Sequence, residues 1–119
     1  MTEETQQGRI EISPRAIATV AGDAVLRCYG VVGVASKNIM GGIADLLQPD
    51  RWGRGVDVSV RDGSVVVDLY VVIQYGTRIS EVAHGVMNSV KYSLEQVLGI
   101  PVAEVNVHVQ GLRMLSDTD

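Results

Sequence analysis

The chain has 119 residues, 46% hydrophobic and 20% charged, with 13 glycines, three prolines, one cysteine and no phenylalanine. That length suits one compact domain, and the apolar fraction is too high for a disordered segment. Ten basic residues against fourteen acidic ones leave a formal charge of −4, which supplies no basic footprint for nucleic acid.

Residues 1–7 are polar after Met1 and are expected to form a flexible N-terminus; they carry no charged-then-apolar leader. Gly8–Ile12 alternates as a short strand. Ser13 then offers an N-cap and Pro14 the first helical position, where a missing N–H costs nothing. Ile17, Val20, Ala21, Ala24, Val25 and Cys28 recur at steps of three and one, which marks one stripe of a helix about four turns long. Gly30 stops it, and Val31–Ala35 reads as a strand. Residues 36–54 form a long irregular connection. It holds Gly41-Gly42, a helical turn near Ile43–Leu47, the turn signal Pro49-Asp50, and Arg51-Trp52-Gly53-Arg54. Loops beyond roughly 12–15 residues usually carry function or disorder.

Val56, Val58 and Val60 alternate with polar residues up to Asp62-Gly63, the pair that a type I′ hairpin turn prefers. The return strand sets Val65, Val67, Leu69, Val71 and Ile73 on one face and Val66, Asp68, Tyr70, Val72 and Gln74 on the other. A second helix follows, with Ile79, Val82, Ala83, Val86, Met87, Val90, Leu94, Val97 and Leu98 on its apolar stripe; Gly99 and Pro101 end it. Val105, Val107 and Val109 alternate with Asn106, His108 and Gln110 in a last strand, and residues 115–119 are a flexible acidic tail.

Two singly striped helices and alternating strands have one economical arrangement, with both helices on one face of a mixed sheet of about four or five strands. This is a two-layer α+β sandwich, a single domain over residues 8–114. The opposite sheet face is expected to expose Asp57, Ser59, Arg61, Asp68, Tyr70, Asn106, His108 and Gln110 along with Val66 and Val72. Asp68, Tyr70, Asn106, His108 and Gln110 make the candidate interaction face. Arg51, Trp52 and Arg54 make a candidate loop for an anion or a partner.

Reactive chemistry is sparse. Cys28 lies on an apolar stripe, which suits a buried thiol packed as a small hydrophobe. His84 falls on the polar side of its helix, and neither histidine has the HxxxH or HExxH spacing of a metal site. Neither glycine-rich stretch fits a phosphate cradle. Asp57 and Asp68 lie on a hairpin surface, without the cleft that paired catalytic carboxylates need. No catalytic residue, cofactor or metal is assigned, and no enzyme is expected. The longest purely aliphatic runs are three residues, such as Val65–Val67, so no direct membrane insertion is expected. The lone Cys28 cannot form an internal disulfide, and a cytoplasmic setting follows.

The segments Cys28–Ser36, Val66–Gly76 and Val102–Gly111, the last containing Val105-Asn106-Val107-His108-Val109-Gln110-Gly111, strongly resemble the bacterial alkaline shock protein family of small envelope stress response proteins. The helix Ile79–Leu98 matches as well, so the likeness covers residues 8–114. Gly42–Leu47 looks like the cytosolic branch, often encoded beside a fatty-acid kinase in Gram-positive bacteria. The resemblance implies a non-enzymatic role in envelope homeostasis and assembly. It also implies homo-oligomers and a fatty-acid kinase or a membrane-anchor protein as partner. It brings no catalytic residues. The alternative is a small-ligand accessory protein that binds an acyl or phosphate group alongside the kinase, with Arg51, Trp52 and Arg54 at the anionic head.

Overall fold

The computed structural model describes residues 1–36 and 55–114. Within them the order is β1 (Thr2–Thr5), β2 (Gly8–Glu11), α1 (Pro14–Leu26), β3 (Val31–Val34), β4 (Val56–Arg61), β5 (Ser64–Gln74), α2 (Ile79–Ser93) and β6 (Val102–Arg113). The fold is α+β, with two helices packed on a mixed four-stranded sheet and a separate two-stranded ribbon.

The long strand β5 is the spine of the sheet. Along one side it pairs in parallel with β6; along the other it pairs antiparallel with both β4 and β3, which lie end to end. The junction falls at Tyr70, whose N–H donates to Gly55 O at 2.9 Å and whose C=O accepts from Ala35 N–H at 2.8 Å. A Cβ on Gly55 would collide with Ala35 O and Val34 Cγ1, so glycine is what lets the two strand ends meet. Asp62 and Gly63 both take positive φ, 53° and 79°, as the turn from β4 to β5 requires. Ser13 Oγ accepts from Ala16 N–H at 3.1 Å and caps α1.

The core is almost entirely aliphatic. Ile17, Ala21 and Val25 of α1, then Val82, Val86 and Val90 of α2, close over Val65, Val67, Leu69, Val71 and Ile73 of β5. On α2 the buried row is narrower than the expected stripe: Ile79, Met87 and Val97 are exposed. The helix meets a narrow sheet along one row of four-residue steps, and its last turn widens into a π-helical segment, Leu94–Leu98, which shifts the phase and leaves Val97 in solvent.

Two further regions add to or depart from expectation. The N-terminus, expected to be flexible, contains a strand: Thr2–Thr5 pairs with Gly8–Glu11, and Thr5 Oγ1 accepts from the N–H groups of Gln7 and Gly8 across the turn. The Met1 ammonium donates to Ile12 O while Ile12 N–H donates to Met1 O, which ties the ribbon to the domain. Val66 and Val72, expected on an open face, are 3% and 2% exposed. They lie on the central strand, paired along both of its edges. Residues 115–119, expected as a flexible tail, and most of the 36–54 connection lie outside the described residues.

Candidate functional site

The even-numbered residues of β5 point away from the helices and, with their partners on β4 and β6, build the outer sheet face. Asp68 stands between Asp57 and Asn106, and Tyr70 stands beside His108. The His108 ring stacks on Tyr70 with centroids 4.6 Å apart and planes 12° apart. Its Nε2 lies 3.0 Å from Asp68 Oδ1; a carboxylate only accepts, so Nε2–H is the donor. The three side chains form one unit, with Asp68 and Tyr70 half-buried and His108 at the surface. Farther along, Arg61 of β4 reaches Glu104 of β6 at 3.7 Å across β5.

Asp68, Tyr70, Asn106 and His108 are thus brought together as neighbours. Gln110 falls at a bulge in β6, where Gly111 takes the place opposite Val72. Arg51, Trp52 and Arg54 lie outside the described residues. Glu104 also belongs to the face, opposite Val66; the alternation that begins at Val105 does not reach it, whereas its extension back through Val102-Ala103-Glu104 does.

A carboxylate orienting an imidazole is two-thirds of a nucleophile triad, but the chain's thiol is elsewhere. Cys28, expected to be buried, is half-buried at the end of α1 on the helical side, and its Sγ–H donates to Ala24 O at 3.4 Å. It borders a groove of about 590 Å³ between the end of α1 and the start of α2, whose rim carries Arg27, Tyr29, Arg78 and Glu81. Both guanidinium groups there are already paired, Arg27 with Asp23 at 2.7 Å and Arg78 with Glu81 at 3.1 Å, so among the described residues of the groove no cation is left uncompensated to hold an anionic head. His84 Nδ1–H donates to Ser80 O at 2.8 Å on the exposed side of α2. Among the described residues no cluster of three or more His, Cys, Asp or Glu is placed to hold a metal, and no helix is long and apolar enough to cross a membrane.

A two-layer α+β domain with one polar, partly aromatic sheet face is the class that these observations define. The chain belongs to the Asp23 family, whose name is unrelated to residue Asp23 and whose description is a cell envelope-related function; the family model matches residues 2–114. This is the alkaline shock protein family. The uncharacterized protein YloU of Bacillus subtilis is 46% identical over 111 residues, covering 92% of each chain. The uncharacterized protein Spy1614 of Streptococcus pyogenes is 40% identical over 114 residues, covering 95% of this chain and 94% of its own. Among solved structures, a MamM CTD covers 85% of this chain and 98% of that one at 13% identity and a TM-score of 0.48, a likeness too distant to carry function.

Proposed function

We propose that this family member is a non-enzymatic docking module that grips a partner through the outer sheet face around Asp68, Tyr70, Asn106 and His108. The observation that supports it is the stack of His108 on Tyr70, tied to Asp68 at 3.0 Å. An aromatic pair already held by a carboxylate offers a flat apolar body with a polar rim, and little side-chain freedom remains to be lost on docking. Asn106 beside it adds a directional hydrogen-bonding group of the kind that interface rims use. The partners this reading admits are further copies of the chain, an enzyme of the fatty-acid kinase type and a membrane-anchor protein. The chain would then work in the cytoplasm and reach the membrane through that partner.

Affinity capture with quantitative mass spectrometry tests the reading on three forms: wild type, Tyr70→Asp/His108→Glu, and Arg78→Glu on the helical side. Partners should be retained by wild type and by Arg78→Glu, and lost from the double variant while it remains folded. Equal capture by all three would remove the outer face from consideration.

A further inference from the structure

The edge of β6 away from β5, unpaired among the described strands, has a symmetry of its own. Val65 N–H donates to Pro101 O and Tyr75 N–H to Arg113 O, whereas Tyr70 turns its N–H and C=O to Gly55 and Ala35 on the opposite side. Odd-numbered residues of β5 therefore address β6. In a parallel ladder, the residue opposite such a position points its own N–H and C=O away. The register sets Val65, Val67, Leu69, Val71 and Ile73 opposite Val102, Val105, Val107, Val109 and Leu112. Those five residues of β6 present their peptide groups outward, and among the described strands β6 pairs with β5 alone.

The outward set is palindromic about Val107. Val105 and Val109 lie two positions to either side, Val102 and Leu112 five positions. The two register shifts of β6, at Ala103 and at Gln110, create this symmetry, because each lengthens one step of the alternation by a single residue. A second copy running antiparallel, related by a two-fold axis perpendicular to the sheet and midway between the two Val107 residues, would set each outward residue opposite another. Val107 would face Val107, Val105 would face Val109, and Val102 would face Leu112. Antiparallel ladders need such facing pairs, and a two-fold interface needs one patch that complements itself. An unrelated strand would have to match both bulges to do as well. The opposite edge of the sheet lacks this feature, being divided at Tyr70 between a four-residue and a six-residue strand.

We infer that β6 is the seam of a homodimer in which two copies of the sheet join edge to edge about Val107. All five outward residues are apolar, and Val109 and Leu112, 36% and 46% exposed in the single chain, would be covered by the partner copy's Val105 and Val102. On the outer face the seam places Asn106 opposite His108 of the second copy. A long exposed edge strand is otherwise a hazard that proteins blunt with charge or proline; here its alternating residues Val105, Val107 and Val109 carry neither. The seam uses backbone groups at the sheet's edge and does not depend on what docks on the outer face.

Sedimentation velocity over a range of concentrations, together with disulfide trapping, tests this. Wild type should sediment as a dimer. Val107→Pro removes an outward N–H that β5 does not use, and Val109→Glu places a charge at the seam; each should yield folded monomer, and the second carries the test should the first not fold. In a Cys28→Ser background, Asn106→Cys/His108→Cys should crosslink between chains, because facing residues of that type stand about 4.5 Å apart at Cα, within disulfide reach. Asn106→Cys alone should crosslink far less. Tyr70→Asp should leave the dimer intact, which separates failure of the seam from failure of the docking face. A wild type that stays monomeric at every concentration, dimers that persist in Val109→Glu, or equal crosslinking by the single and double cysteine variants would overturn the inference.

Discussion

The odd and even residues of β5 share one backbone and the same neighbouring strands but not one environment. Val65, Val67, Leu69, Val71 and Ile73 are all 0% exposed beneath the helices, while Asp68, Tyr70 and Gln74 keep part of their surface in water. Val66 and Val72 bracket Asp68 and Tyr70 and are themselves buried, so this polar pair sits between two covered apolar positions. One strand thus holds the fold together with one row and, in the function proposed above, offers contact with the other. Substitutions should separate by parity: large losses of stability on the odd row, and small ones on the even row accompanied by loss of binding.

The sharpest test of the odd row is Leu69→Ala. Leu69 lies in the middle of the core cluster, and truncating a buried leucine costs about 2–5 kcal/mol through lost transfer energy and the cavity left behind. Urea denaturation should register that loss with an unchanged slope. A cost under about 1 kcal/mol would mean that the helical side is not what secures the sheet. Gly30→Ala probes the same side where the chain leaves α1. Gly30 has φ +85°, and a Cβ there would lie 2.7 Å from Val82 Cγ2 on α2, so both backbone strain and a clash must be relieved. About 1–3 kcal/mol of destabilisation is expected, read as a lowered thermal midpoint.

How far the two faces could be read from residues alone follows from what periodicity encodes. The alternation from Val65 to Ile73 and the Asp62-Gly63 turn are local patterns, and both elements formed where the pattern put them; the α1 stripe is local too, but the helix ends at Leu26, before Cys28 and Gly30. Three features depend on partners far away in sequence. Thr2–Thr5 has no apolar alternation to announce β1; its pairing rests on the Thr5 turn and the Met1–Ile12 contact. The end-to-end placement of β3 and β4 is visible only once β5 is seen to be long enough for two partners. The bulge at Gln110, which sets Gly111 opposite Val72, breaks an alternation that looks unbroken in the bare string. The same limit applies to the site. Tyr70, Asn106 and His108 were legible as one face, but the stack and the Asp68 hydrogen bond depend on the register between β5 and β6.

On the even row the effects should be smaller. A double-mutant cycle on Tyr70→Ala and His108→Ala isolates the stack from the area each ring buries, and a coupling of about 0.5–1.5 kcal/mol is expected for an aromatic pair in offset or stacked contact. Zero coupling would mean that the rings are neighbours without attraction, and the preorganised body on which the docking reading rests would be lost.

Asp68→Asn sharpens the contrast furthest, because it keeps the acceptor oxygen and removes only the charge. His108 Nε2–H can still donate to an amide Oδ1, and the pair sits where water reaches both partners, with side chains 44% and 30% exposed. Exposed ion pairs contribute about 0–1 kcal/mol, so the thermal midpoint should move little while partner capture falls. If Asp68→Asn instead destabilised the chain as much as Leu69→Ala, the carboxylate would be a structural support under β5 and β6. The outer row would then hold the fold as the inner row does, and the division of β5 into a holding face and a contact face would fail at its most polar residue.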